Sequence, residues 1–456
     1  MQGGQVTTRI ILVVPPGLPG TTPNREGASG LGGVTPEANA FRYPPHTVAM
    51  AGAVLQEAGF DVVAVDAPAL GYDLDECVDE VRAAKADVVG VFVSWATHEA
   101  DRLFLVALKK HVASVPVVAF GPSAALAQEG LGDADHLLVG EPELAFAALT
   151  ERLLQGADAL PRVASPADLC VDGYDAQGRL TDLDALPFPA WDLLPIERYR
   201  YLTVLSSRGC GENYTWCPYV IAQGRHFRAC SADRVVAELH EIVERYRPQR
   251  IVFRDPAFAF DRDRVEEMCG RIIGDRLLKP GRVLRWECES HPIHLDKRLL
   301  RLMSLAGCVS IKVGLETTDA GLLLREHRVA AVDGAAEYLA HVGSLARECA
   351  RLGISYRIFV MAGLPGQTAA MAQETAGFVR ALRPTSLSIK MLKQRPCPQI
   401  SSVALPTRDE VRAQIEILEE AQPDVGQGRV RRTPRWHRAL LRLIFRLFTV
   451  LSMGRT

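Results

Sequence analysis

Between Arg9 and Gly140, short β-branched runs alternate with longer stretches whose apolar residues recur every three or four positions. Ile10-Ile11-Leu12-Val13-Val14 is a continuous apolar run closed by Pro15-Pro16, the pattern of a strand buried on both faces that opens into a loop. Residues 47–58 have helical spacing and are capped by Gly59, and residues 61–66 follow as a second strand. Helices over 75–84 and 100–112 then alternate with strands over 87–94, 115–121 and 135–140. This order predicts an open, doubly wound parallel sheet over residues 9–155, with ligands bound beyond the carboxyl ends of its strands.

A stretch rich in Gly, Ala, Asp and Pro follows, ending in Leu186-Pro187-Phe188-Pro189-Ala190-Trp191, and reads as a linker over residues 156–200. The alternation resumes at Tyr201. Strands are predicted over 202–206, 250–255, 285–289, 309–316, 355–361 and 386–390, with helices over 232–246, 262–273, 296–306, 335–352 and 369–382. Six parallel βα units over residues 201–395 fit a partial (β/α)6 barrel with its chemistry at the carboxyl ends of the strands. Residues 396–456 form a helical extension, whose basic amphipathic stretch over 434–452 is expected to pack on the barrel rather than lie on a membrane.

Composition narrows the class. The 456 residues are 48% hydrophobic and 23% charged, with a net charge of −2, the balance of a globular protein without the basic surplus of a nucleic-acid binder. The ten cysteines show no small-domain disulfide spacing, the start lacks signal-peptide order, and no run is long enough for a transmembrane span. The expectation is a cytoplasmic enzyme.

The stretch with the strongest chemical content is Ser206-Ser207-Arg208-Gly209-Cys210-Gly211-Glu212-Asn213-Tyr214-Thr215-Trp216-Cys217. Cys210 and Cys217 lie seven apart, with an aromatic before the second. The pattern resembles the cluster loop of the radical S-adenosylmethionine (SAM) superfamily, in which three closely spaced thiolates each take one iron of a [4Fe-4S] cluster. Cys210, Cys217 and Trp216 match that loop. Tyr214 stands where the middle thiolate is expected, and a phenolate is a hard oxygen donor poorly suited to a sulfide-rich cluster. Three readings stand side by side: Cys230 folds back as substitute ligand, Tyr214 itself ligates, or no stable cluster forms.

The order of the N-terminal pieces resembles the cobalamin-binding domain found before many radical SAM domains. It carries Pro44-Pro45 before a helix, then Ala58-Gly59-Phe60-Asp61-Val62, Val118-Ala119-Phe120-Gly121-Pro122, and Val139-Gly140-Glu141-Pro142-Glu143. The D-x-H-x-x-G signature, whose histidine coordinates cobalt, is absent, so no protein ligand beneath the cobalt is expected. That resemblance implies cobalamin contacts from Ser94, Thr97, Gly121, Ser123, Gly140 and Glu141. In the barrel it implies SAM contacts from Glu316 and from Gly363 and Pro365 of the Gly-Leu-Pro-Gly turn, and a role for Asp255 near cluster and substrate. His291 and His294, behind Trp286-Glu287-Cys288-Glu289, are candidate substrate contacts or proton carriers, and with Glu289 a candidate metal set. Tyr214, Asp255 and His291 are the candidate catalytic residues. The resemblance implies a cobalamin-dependent methyltransferase acting on a small-molecule substrate in natural-product biosynthesis, served by a reductase or an intact homologue. The alternatives are a cobalamin-dependent rearrangement without SAM cleavage, or a catalytically silent partner.

Overall fold

The computed structural model describes residues 8–37, 42–156, 160–214, 217–275, 284–392 and 405–423. Trp216 and the basic stretch over 434–452 lie outside the described residues. The chain divides into two compact units. One holds Met1–Thr203, Arg208–Cys210 and Pro218–Cys230; the other holds Val204–Ser207, Gly211–Cys217 and Ser231–Thr456.

The first unit is built on β1 (Arg9–Val14), a hairpin of β2 (Thr21–Asn24) and β3 (Gly33–Pro36), then β4 (Asp61–Asp66), β5 (Val88–Phe92), β6 (Val117–Phe120), β7 (His136–Leu138) and β8 (Val163–Ala164). Apart from the antiparallel hairpin, these strands form one parallel sheet in the order β4-β1-β5-β6-β7-β8. Alternation within the apolar runs decides the two faces. Ile11, Val13, Val89 and Val91 pack with Val78 and Val81 of helix Leu74–Ala84 and with Phe104, Leu105 and Leu108 of helix His98–Lys109. On the other face Gly90 lies against Phe146 of helix Glu143–Leu154, and a side chain at position 90 would collide with that ring. Helices on both faces and a reversal of order between β1 and β5 make the sheet doubly wound, as predicted. Its switch point lies at the carboxyl ends of β1 and β5. The β2–β3 hairpin, which no apolar periodicity announces, is inserted directly after β1. The expected linker also differs in part, since β8 from that stretch adds a sixth strand to the sheet.

The chain continues with β9 (Leu202–Val204) and the short β10 (Ser207–Arg208) and β11 (Arg228–Ala229), whose Arg208 and Arg228 belong to the first unit, and the second unit then holds β12 (Ile251–Phe253), β13 (Trp286–Ser290), β14 (Cys308–Glu316), β15 (Ser355–Ala362) and β16 (Ser386–Met391). The sheet order β16-β15-β14-β13-β12-β9 is sequential, and the intervening helices include Arg262–Gly274, Lys297–Leu305, Gly334–Leu352 and Ala369–Leu382. Sequential parallel strands joined by right-handed crossovers put every helix on one side and leave the other concave, the arrangement of a partial (β/α)6 barrel. The helix starts are fixed by side-chain caps: Ser231, Asp261, Asp296 and Thr368 each accept the backbone N–H of the third residue of the helix that follows. A short helix, Ala320–Arg325, was not anticipated. Among the described residues no helix is long and apolar enough to cross a membrane.

Candidate active site

At the carboxyl ends of the first sheet the expected hydroxyl residues are present, and their hydrogen bonds run inward. Ser94 Oγ lies 2.8 Å from Thr97 Oγ1, and Thr97 Oγ1 donates to Asp101 Oδ2 at 2.7 Å. Asp101 also accepts from Ser94 N and pairs with the buried Arg25, which donates to Pro15 O at 2.7 Å. Ser123 Oγ donates to Gly30 O at 2.6 Å and accepts from Trp95 N at 3.0 Å. These residues tie the loop after β1 to the ends of β5 and β6. Gly121 is required there by close approach: a methyl group on it would lie 2.3 Å from Val93 O. The tied loop, Glu26-Gly27-Ala28-Ser29-Gly30, holds Ala28 and Ser29 in the left-handed region (φ 50° and 56°), a strain that ordinary loops avoid. Asn24 Oδ1 and Ser29 Oγ are buried there without a hydrogen-bond partner among the described residues. Sequence reasoning missed both; the signal available was the Gly-Ala-Ser-Gly-Leu-Gly-Gly run behind a strand.

The Val-Gly-Glu-Pro-Glu segment carries a closed ion-pair network inside the same unit. Gly140 approaches the Gly178 carbonyl, where a side chain would not fit, and Glu141 N donates to that carbonyl at 2.8 Å. The Glu141 carboxylate meets Arg208 at 2.9 Å and Arg228 at 2.8 Å, and accepts from Leu180 N at 2.9 Å. Glu143 takes the other side of Arg208 at 2.6 Å. All four side chains are buried. Burial alone would raise the Glu141 carboxyl, but the two guanidiniums outweigh it and hold the group below the usual carboxylate range. Gly209, between Arg208 and Cys210, has φ 76°, and a methyl there would lie 2.0 Å from His226 O. The basic, glycine-bearing turn before Cys210 is thereby locked.

In the second unit Tyr214 is buried and clamped. The Arg328 guanidinium stands 3.9 Å from the centre of its ring, and the His291 ring stacks on it at 5.7 Å with an interplanar angle of 28°. Arg328 is in turn held by Glu316 at 2.6 Å and by Gly314 O at 3.3 Å. Glu316 closes β14 at a register shift against β15, with φ 68°, an unusual conformation for a residue with a side chain. Burial pushes its carboxyl up to about 7 against the pull of Arg328. His291 Nδ1 accepts from Ile293 N at 3.2 Å, while burial, aided by Arg328, holds its pKa well below the ordinary value. The ring is therefore neutral with its proton on Nε2, a buried donor without a partner among the described residues. His294 Nε2 meets Glu212 Oε1 at 2.6 Å, and that bond is the main cause of the lowered Glu212 pKa.

The expected metal set changes one member. Glu212, not Glu289, joins His291 and His294, with one potential ligand atom each lying within 4.8 Å of the others. The Ile293 N–H already occupies His291 Nδ1 and the Arg328 cation stands close by, and both oppose a dication. Asp255 is fully buried, accepting from Ser206 Oγ at 2.7 Å and from Ser207 N at 2.5 Å, so it braces the start of the cysteine loop. Gly363 N donates to Gln414 Oε1 at 2.8 Å, and Gln367 bonds Leu364 N and Met361 O across the buried Pro365, which closes the Gly-Leu-Pro-Gly turn on protein groups. Cys210, Cys217 and Cys230 are buried cysteines. Burial pushes the thiols of Cys269, Cys288 and Cys349 up, as befits inert core residues.

Comparison with known proteins gives three findings. A family model described as the B12 binding domain matches residues 39–150. The uncharacterized methyltransferase PH0819 of Pyrococcus horikoshii is 24% identical over 293 residues, 61% of this chain and 62% of that protein; the hopanoid C-2 methylase of Rhodopseudomonas palustris is 27% identical over 258 residues, 55% and 47% of the two chains. The chain thus spans less than two thirds of the length of either relative. Among solved structures, the radical SAM methyltransferase TsrM of Kitasatospora setae, with cobalamin and a [4Fe-4S] cluster bound, superposes with a TM-score of 0.65 at 18% identity, over 85% of this chain and 75% of that one. The likeness is one of fold.

Proposed function

We propose that this chain, which joins a B12 binding domain to a partial barrel in the fold of cobalamin-dependent radical SAM proteins, is a cobalamin-dependent methyltransferase. Its substrate is a small metabolite of natural-product biosynthesis, and it works in the cytoplasm with SAM as methyl source and a reductase or intact homologue as partner. The observation that carries the reading is the order of the two modules in one chain, shared with TsrM over 85% of this chain.

The first unit fits cobalamin. Its switch point is bordered by a strained glycine-rich loop, and the unpartnered Asn24 Oδ1 and Ser29 Oγ suit a ligand fringed with amide groups. When bound, cobalamin supplies a carrier for the methyl group. The chain's own groups do the positioning: Arg25, Ser94, Thr97, Asp101 and Ser123 fix the loop, and the Glu141–Arg208 pair fixes the turn before Cys210. A cluster held by three thiolates of the loop itself does not fit the residues present. The middle position is a phenol, and its ring is already held between Arg328 and His291. The proposed reaction accordingly runs without 5′-deoxyadenosine formation.

The test is anaerobic reconstitution of the full chain with hydroxocobalamin, iron and sulfide. One cobalamin per chain, a substoichiometric and labile iron content, and methyl transfer without 5′-deoxyadenosine are expected. A visible spectrum indifferent to excess hydroxocobalamin would overturn the reading. Four irons per chain, with 5′-deoxyadenosine formed at every turnover, would overturn its account of Tyr214.

A further inference from the structure

We propose that the concave face of the second unit binds a small, water-soluble anionic substrate, and that Lys312, Arg357 and Lys390 select it. The proposal rests on the reading of this unit as the place where the methyl group is delivered.

Side-chain alternation defines the face. Cys288, Ile311, Val313, Ile358 and Val360 lie under the helices and are essentially inaccessible. The intervening positions take the other side: the register sets Glu289 beside Lys312, Lys312 beside Arg357, and Phe359 beside Ser388. A barrel interior that serves as packed core is lined by branched apolar residues. This one is lined by charge.

The charges do not balance. Glu287 meets Arg250 at 2.9 Å, Lys312 at 3.1 Å and Arg357 at 3.9 Å, one carboxylate among three cations. Lys390 stands 5.2 Å over the Phe359 ring, and Glu289 is the second acid of the face. Four cations thus face two carboxylates, because Glu316 and Arg328 form a closed pair of their own. Lys390 lies within the field of this set: burial pulls its ammonium down, Glu289 and Glu316 resist, and Lys312 and Arg357 add to the downward pull. An anion laid among these groups relieves that repulsion. The Arg250 and Arg357 side chains remain over 40% exposed, so the surplus is within reach of solvent. A polycyclic hydrocarbon of the hopanoid kind would instead strip water from all six charges, a cost that apolar contact does not offset.

The test uses the full chain with added hydroxocobalamin and four probes at fixed ionic strength: glutarate, propylphosphonate and their dimethyl esters. Titration calorimetry should give dissociation constants at least about tenfold lower for an anion than for its ester, and the two anions distinguish carboxylate from phosphonate recognition. Lys390→Gln should weaken anion binding about fivefold, and Glu289→Gln should tighten it about fivefold. The second change is a gain, which misfolding does not mimic. Equal binding of ester and anion, no binding of either, or indifference to both substitutions would overturn the proposal. Probe binding requires no turnover, so a chain that shows this pattern yet transfers no methyl group overturns only the functional reading.

Discussion

Replacing Glu141 by Gln should be among the most damaging single polar substitutions in the first unit, and it should be worse than the same change at Glu143. Among the described residues Glu141 is the only carboxylate that meets both guanidiniums: Arg208 at 2.9 Å, and Arg228 through two bonds of 2.8 and 2.9 Å. With the charge removed, Arg208 keeps Glu143 at 2.6 Å, whereas Arg228 keeps only the carbonyl oxygens of Leu180 and Gln223. Removing one partner of a buried pair costs about 3–5 kcal/mol, because the other charge stays desolvated. An amide still accepts one hydrogen bond, so the lower end, about 3 kcal/mol, is expected for Glu141→Gln. About half of that is expected for Glu143→Gln, which leaves Arg208 its bond to Glu141.

The pH dependence supplies an independent sign. Glu141 titrates lower in the folded chain than in the unfolded chain, so its stabilisation is fully present above the ordinary carboxyl pKa of 4.5 and is lost as pH falls through the depressed folded value. Urea unfolding followed by far-ultraviolet circular dichroism at pH 7 and pH 4 reads both effects. The wild type should lose more stability on acidification than Glu141→Gln does. A Glu141→Gln loss under 1 kcal/mol at pH 7, or a Glu143→Gln loss that equals or exceeds it, would refute the assignment of Glu141 as the hub.

Two further substitutions probe the second unit. Glu238, buried beside Asp255, has its carboxyl pushed up to about 7, chiefly by burial, with Arg234 opposing. The folded state therefore binds this proton more tightly than the unfolded state, and stability falls as pH rises from 4.5 to about 7. Glu238→Gln should be about 1–3 kcal/mol more stable than wild type at pH 8 and nearly equal at pH 4.5, by thermal melting at both; a lower melting temperature at pH 8 would refute this. Tyr214→Cys should lower stability by about 2–4 kcal/mol, through loss of the ring between Arg328 and His291. It should also raise the iron retained after reconstitution, and unchanged iron content would show that the third thiolate is not what the wild type lacks.

The sheets and helices were legible because both periods survive in the sequence: continuous apolar runs for strands covered on two faces, and three-to-four spacing for the helices between them. The β2–β3 hairpin was not, since Thr21–Asn24 and Gly33–Pro36 are short, polar and partly exposed. The strand-end residues were legible as a set of positions but not in their contacts. Ser94, Thr97 and Ser123 were expected to face a ligand, yet each hydroxyl sits where a buried loop needs its own polar groups satisfied, and each bonds protein. Arg228 lies 87 residues from Glu141 in the chain, and Arg328 falls in a loop with no periodicity. Long-range pairs of this kind leave no spacing to read. Tyr214 was conspicuous in the sequence, whereas the guanidinium and imidazole that clamp it were not.

How charge is distributed separates scaffold from candidate site more sharply than residue type does. In the first unit two sets of buried charges close on themselves: Arg25 with Asp101, and Arg208 and Arg228 with Glu141 and Glu143. Such networks have no net charge to offer a ligand, and their value lies in fixing loops in one arrangement. Around Tyr214 the Arg328–Glu316 pair is likewise closed, and its guanidinium lies against the phenol ring. On the concave face of the second unit, Glu287 is shared among three cations and Lys390 is pulled down by its surroundings. An unbalanced, partly exposed set of this kind costs folding energy unless a counter-charge completes it. On the proposed reading, the surplus is half of an interaction whose other half is the substrate. On that reading, the barrel's inner wall, rather than the cysteine loop that dominates the sequence, is where this chain's substrate selection is set.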